Sequence, residues 1–239
     1  MLTSDLDWAP AWATLALARR VTTAGCSITL FVTHHGPELE LLRAMPGVEL
    51  GWHPNFHPGS DHGATPDAVL DTLSEWVPEA VGLRSHGLVR STALLENYAT
   101  RGLQYEASDL MHRHPGLRPM RAWNGVVRLP IFFEDDVQAM HGRPFSLEDL
   151  PLEGPGLRVF DFHPIHVALN TADLSGYRSF KADCAARGIA MSEASEEDVA
   201  RFREPGPGAS DLLDEVLSLL ASDPDRRGGT LAEVAGGVE

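Results

Sequence analysis

The chain is poor in basic residues: 19 Lys and Arg stand against 34 Asp and Glu among 239 residues, a formal net charge of −15. That balance excludes a groove for a nucleic-acid phosphate backbone, which needs clustered cations. The acidity reads instead as a source of solubility. No apolar run approaches the length of a membrane span, and Met1 to Trp8 lack the charged and apolar regions of an export signal. Cysteine is scarce as well. Cys26 and Cys184 lie far apart without metal-type spacing, so they read as reduced, buried thiols. These absences predict a cytosolic globular protein that neither spans a membrane nor binds nucleic acid. The length suits one large domain or two small ones.

Histidine is what the chain has in plenty. Eleven are present, several beside glycine, proline or asparagine in predicted loops. Core-filling histidines would not gather at strand ends. The first such end is Ser4-Asp5-Leu6-Asp7, at the close of a short β-pattern that runs through Pro10 into a helix over residues 11–24. Residues two apart on a strand share a face, so Asp5 and Asp7 are both candidates to address one site. Asp7 alone would read equally well as a helix cap.

The alternation continues along the chain. Strands are predicted over 27–33, 48–52, 80–83, 103–106, 125–129 and 157–162, with helices over 37–45, 67–76, 91–101 and 171–187 between or after them. Residues 141–156 read as an irregular insertion. The pattern predicts a distorted (β/α) barrel of about seven parallel strands over residues 1–204. From Pro205 the composition turns to Pro and Gly, then to an acidic amphipathic helix over 211–221 and a loose stretch over 223–239.

Strand ends deliver the chemistry. The third strand leads into His53-Pro54-Asn55-Phe56-His57, the fourth into Arg84-Ser85-His86, and the last into His163-Pro164-Ile165-His166. Asp7, His53 and His57 make an Asp/His/His set, with the histidines four apart and able to share a face. One carboxylate and two imidazoles suit a divalent ion, zinc first and Co, Ni or Mn as alternatives, with positions left for water and substrate. His62 is an alternative to His57, which could also be a solvated loop residue. His86 is open between ligand, substrate contact and packing. Trp8 and Asn55 are further candidates near the mouth.

The order of these motifs resembles the polysaccharide deacetylases (NodB homology, carbohydrate esterase family 4) over about residues 1–190. The resemblance implies that Asp5 is the catalytic base, Asp7 a metal ligand, and His53-x-x-x-His57 the two-histidine metal motif. It implies that Arg84 orients the base and that His163 protonates the leaving group. Glu134-Asp135-Asp136 falls where an acidic motif belongs. Asp135 and Asp136 otherwise read as a solvated turn, with support of the site as the alternative. His163 is placed ahead of His166 because it comes first off the strand.

There are departures from the family pattern. Pro54 and Asn55 follow the first histidine in place of a small hydroxyl residue, His86 takes the place of a proline, and Pro164 follows His163. They point to a non-standard subgroup with an unusual third ligand. The expected function is metal-dependent removal of an acyl group, acetyl first, from an N-acylated amino sugar or glycoconjugate. The partner would be a small-molecule or oligosaccharide substrate. A non-sugar amide or ureide, or binding of metal or sugar without turnover, are the alternatives.

Overall fold

Apolar stretches such as Ile28–Val32, together with the more polar Leu2–Asp5, become strands largely buried on both faces, as a parallel sheet covered by helices requires. The central three are β1 (Leu2–Asp5), β2 (Ile28–Val32) and β3 (Val48–Trp52), in parallel register with Leu2 opposite Ile28 and Ile28 opposite Val48. Short strands extend them: β4 (Gly82–Leu83), β5 (Tyr105–Glu106), β6 (Met120–Arg121), β7 (Val127–Arg128), β8 (Phe133–Glu134) and β9 (Phe160–Asp161). The computed structural model describes residues 1–222 and 228–238.

The nine strands form one curled sheet in the order β6-β7-β5-β4-β3-β2-β1-β9-β8. All run parallel except β6, which pairs antiparallel with β7. A parallel bridge between Leu110 and Ile131 brings the segment after β5 beside the one before β8, so the curl approaches a barrel. The predicted barrel is therefore present, with more and shorter strands than the composition suggested. The expected strand over 125–129 and the residues that follow it divide into β7 and β8.

Helices cover the outside: α1 (Ala11–Thr23), α2 (Glu38–Arg43), α3 (Pro66–Trp76), α4 (Thr92–Thr100), α5 (Asp135–Met140), α6 (Pro164–Leu169), α7 (Ser175–Arg187), α8 (Glu196–Ala200), α9 (Ala209–Ser222) and α10 (Leu231–Gly236). Side-chain caps fix four of them, α3, α4, α8 and α10; at the first two Thr65 accepts from Ala68 N at 3.2 Å and Ser91 from Leu94 N at 3.1 Å. The helix expected from Thr171 begins at Ser175. A separate short helix, α6, stands directly after His163, and Asn170 at φ 50° ends it.

Inside the curl, aromatic rings occupy space that glycine leaves on the neighbouring strand. A Cβ on Gly51 would lie 2.8 Å from the Phe31 ring, and one on Gly82 would overlap the Tyr105 ring. The end of the curl at the strand starts is sealed by the tail. Residues 223–227 of the stretch expected to be loose lie outside the described residues. Leu231–Gly236 is the helix α10, with Leu231 and Ala235 buried. Leu231 N donates to Thr29 Oγ1 at 3.0 Å, and Ala232 N donates to Glu49 Oε2 at 3.1 Å.

That seal gives a first prediction. Leu231→Ala removes a fully buried side chain and should lower unfolding free energy by about 2–5 kcal/mol in a denaturant titration. A change within about 0.5 kcal/mol, as for a surface residue, would mean the tail is not docked.

Candidate active site

Arg84 follows directly from β4, and its side chain turns into the curl with no exposed surface. Every nitrogen of its guanidinium is used. Nε donates to Ala107 O at 2.9 Å, Nη2 to Thr3 Oγ1 at 3.0 Å, and Nη1 to Asp5 Oδ1 at 2.8 Å and also to Asp161 Oδ1. The guanidinium lies over the Phe31 ring, 4.6 Å from its centroid. Thr3 and Asp161 are register partners on β1 and β9, and the Thr3 hydroxyl donates to Asp161 Oδ1 at 2.7 Å. Burial pushes the Asp5 carboxyl above its ordinary value, and the Arg84 charge pulls against that. Burial also works against the Arg84 charge, but Asp161 and Asp5 outweigh it and raise its pKa further.

Beside this network lies a group of possible metal donors. Asp7, His53 and His86 each offer an atom within 4.8 Å of the others. His53 Nε2 is 3.1 Å from Asp7 Oδ1, and His86 Nδ1 is 2.9 Å from the same oxygen. Backbone bonds place the rings: His53 N donates to Val32 O at 2.9 Å and His86 N to Pro54 O at 3.0 Å. Asp7 and Trp8 stand in the left-handed region, at φ 44° and 54°. For non-glycine residues this costs of order 1–3 kcal/mol each and persists only where surroundings impose it. Burial works against the Asp7 charge, yet hydrogen bonds from His53 and His86 outweigh it and hold the carboxyl well below its ordinary range. Burial likewise opposes charge on His53, but Asp5 and Asp7 raise its pKa. A field that draws a proton onto an imidazole draws a cation equally, so this donor set fits a divalent ion.

His57 is not in that group. It is exposed on a turn, its backbone N bonded to Asn55 Oδ1 at 3.1 Å, with its ring 6.0 Å from that of His86. The expected pair of histidines four apart is thus opened by the Pro54 turn, and His86 supplies the third donor. His62 is buried with both ring nitrogens engaged: Nε2 meets Thr33 O at 2.7 Å and Nδ1 accepts from Asn55 N at 3.1 Å. Asn55 therefore shapes the turn. Trp8 packs edge-on against the His86 ring at 5.1 Å, at the mouth of the site.

His163 closes the arrangement from β9. Its Nδ1 bonds Asp135 Oδ1 at 2.7 Å, its backbone N donates to Asp135 Oδ2 at 2.9 Å, and its Nε2 lies 3.6 Å from Asp7 Oδ2. Burial pushes the Asp135 carboxyl up to about 7, against the pull of His163. Burial also disfavours charge on His163, but the Asp135 charge and hydrogen bond prevail and hold the imidazole well above its ordinary value. Both shifts favour retention of a proton by this pair. His166 is different. Its Nδ1 meets Thr171 Oγ1 at 2.9 Å, and burial, then the nearby His163, lower it to about 3, so it stays neutral.

Asp135, read from sequence as a turn residue or a support, is fully buried and fixes His163. Asp136 sits half-buried on the next position, its N donating to Asp135 Oδ1 at 2.8 Å. Two further acids have no individual role in the sequence reading. Asp161 shares Arg84 with Asp5, and Glu134 lies with Asp5, Asp161 and His163 in a second set of donors within 4.8 Å. Burial and the nearby Asp136 and Asp161 raise Glu134 well above its ordinary value. Strand parity was the available signal for Asp161, since it shares a face with His163 two residues on.

Known proteins resemble this chain. A family model for WbmS-like polysaccharide deacetylases matches residues 2–181. A crystal structure from Bordetella bronchiseptica, described as a polysaccharide deacetylase involved in O-antigen biosynthesis, is 33% identical with a TM-score of 0.81, covering 91% of this chain and 89% of that one. Two more distant structures share the fold. One is described as a polysaccharide deacetylase from Mycobacterium smegmatis, at 18% identity and a TM-score of 0.50 over 99% of this chain and 88% of that one. The other is a 4-alpha-glucanotransferase from Thermococcus litoralis, at 11% and 0.54 over 99% of this chain and 38% of that one. Comparison with curated proteins gives no match.

The donor geometry predicts how metal binding responds to mutation. In titrations with Zn²⁺ or Co²⁺, His86→Ala should weaken binding beyond the ~10- to 100-fold typical of losing an outer-sphere partner. His57→Ala should leave it unchanged within error. The reverse order would put His57 back as the third ligand.

Proposed function

Because the chain belongs to the WbmS-like polysaccharide deacetylase family, we propose that it is a metal-dependent hydrolase removing an acetyl group from an N-acetylated amino sugar. The substrate would be part of a glycan of the O-antigen kind, the setting named for the Bordetella relative. Asp7, His53 and His86 hold the ion, zinc being the choice that one carboxylate and two imidazoles favour. The observation that carries this reading is the placement of two groups beside that donor set: the Arg84-tethered Asp5, 3.6 Å from His53 Nε2, and the Asp135-bound His163, 3.6 Å from Asp7 Oδ2.

An amide carbonyl resists water because attack destroys its resonance and the amine leaves poorly. The bound ion would supply Lewis acidity, polarising the carbonyl and lowering the pKa of water toward ~7. Asp5 takes the proton of the attacking water. Its Oδ1 is tied to Arg84, while Oδ2 lies 3.6 Å from His53 Nε2, on the side of the donors. Arg84 keeps Asp5 ionised and fixed in direction, through a planar fork that a flexible ammonium would not reproduce. His163 delivers a proton to the departing nitrogen. Asp135 on Nδ1 directs Nε2 into the site and keeps the ring charged. Neutral His166 is a poor source of that proton, which favours His163.

Substitutions at the two proton-transfer groups separate their roles. Asp5→Asn keeps the shape but accepts no proton, and should cost ~10²- to 10⁴-fold in kcat for acetate release. Equal rates in Asp5→Asn and wild type would reject the base assignment. Asp135→Asn bears on the acid. His163 works protonated and is held above its ordinary pKa, so activity falls as pH rises through that raised value. Removing the Asp135 charge should move the alkaline limb of the pH–kcat profile to lower pH; an unmoved limb would disconnect Asp135 from the acid.

A further inference from the structure

The strand–helix rhythm breaks between β5 and β7, where the β6–β7 hairpin takes the place of a crossover helix. The break leaves a groove of about 320 Å³ between α4 and the hairpin, within the size range of small-ligand pockets. The hairpin turn, Trp123-Asn124-Gly125, places Gly125 at φ 91° and is held to α4 by Asn124 Nδ2 donating to Leu95 O at 2.9 Å. Trp123 lines the groove and is 68% exposed, the most of any large hydrophobic side chain among the described residues.

Apolar Val89 and Leu95 also line the groove, and its charged residues are balanced once Asp109, just outside the lining, is included. Arg128 Nε donates to Glu106 Oε1 at 2.6 Å, and Asp109 pairs with both Arg128 and Arg90. Two guanidiniums and two carboxylates therefore cancel. Tyr98 of α4 lines the same groove; it is 3% exposed, and its hydroxyl has no hydrogen-bond partner. A buried hydroxyl of that kind is uncommon and calls for a partner.

One short loop separates this groove from the metal donors. His86 faces the donors, whereas Val89 and Arg90 line the groove. Four residues of chain span at most about 14 Å. Ser85 stitches the two sides, its N donating to Ser108 Oγ at 3.0 Å and its Oγ to Val89 O at 2.6 Å.

We propose that this groove is a second sugar-binding site, taking a neutral sugar unit of the glycan whose acetylated unit lies at the metal donors. The proposal rests on the deacetylase reading above. An exposed indole offers a flat apolar face to a pyranose ring. Paired guanidinium and carboxylate groups offer planar donors and acceptors to its hydroxyls. An anionic ligand is disfavoured, because each guanidinium already has its carboxylate.

Capture on a panel of immobilised neutral and anionic oligosaccharides tests the site without turnover. The wild type should hold a neutral oligosaccharide of two or more rings. Trp123→Ala should weaken that capture about 3- to 10-fold, the range for one aromatic contact, and Trp123→Phe should restore most of it. Trp123 is largely exposed, so an unchanged unfolding temperature should accompany the loss. Capture of anionic glycans alone, of no neutral glycan, or of neutral glycans equally by Trp123→Ala overturns the proposal. Asp5→Asn should retain capture. Failure of the deacetylase reading would therefore appear separately, as no acetate release from wild type with capture intact.

Discussion

A guanidinium with no exposed surface must be surrounded by charge and acceptors, and Arg84 sets that demand at the centre of the curl. Removing one partner from such a buried pair costs about 3–5 kcal/mol, because the other charge is left stranded. Thr3 and Asp5 on β1, Asp161 on β9 and the carbonyl of Ala107 answer it together. Three separate stretches of sheet are locked to one side chain. The same bonds fix the direction of Asp5, so the device that satisfies a buried cation also orients the carboxylate proposed as the base.

The rest of the site depends on that frame. With β1 held, the chain leaves Asp5 and turns through the left-handed residues Asp7 and Trp8, and the turn aims Asp7 at His53 and His86. With β9 held, His163 leaves Asp161 and meets Asp135 at the start of α5. Two opposite electrostatic surroundings result. Asp7 is stripped of its proton by two imidazoles, whereas His163 is loaded with one by Asp135. The proposed cation site and the proposed acid need that contrast at close range.

Much of this was legible in the sequence. Period-two acids at Ser4-Asp5-Leu6-Asp7, strand ends carrying His53, Arg84 and His163, and strand–helix alternation carried the barrel and the family resemblance. The third donor was not legible. Two histidines four apart look like a pair only if the chain between them stays helical or tightly turned, and Pro54-Asn55 sends His57 outward instead. His86 stood in the text of the sequence without a preferred role, because its approach depends on the bond from its N to Pro54 O, across strands. Asp161 was passed over as one more strand residue, although its parity with His163 placed it on the inner face. The docking of α10 was hidden by a glycine-rich, acidic tail whose only apolar signal is a few residues at helical spacing.

The central claim is that these residues make a metal-dependent N-deacetylase, and release of free amine from N-acetyl amino sugars tests it most directly. Oligosaccharides bearing N-acetyl groups would be offered to protein stripped of metal by a chelator and then resupplied with one equivalent of Zn²⁺. The account predicts that amine release falls to background on stripping and returns with the ion. Undiminished release from the metal-free protein, or none from the reloaded protein, would contradict it.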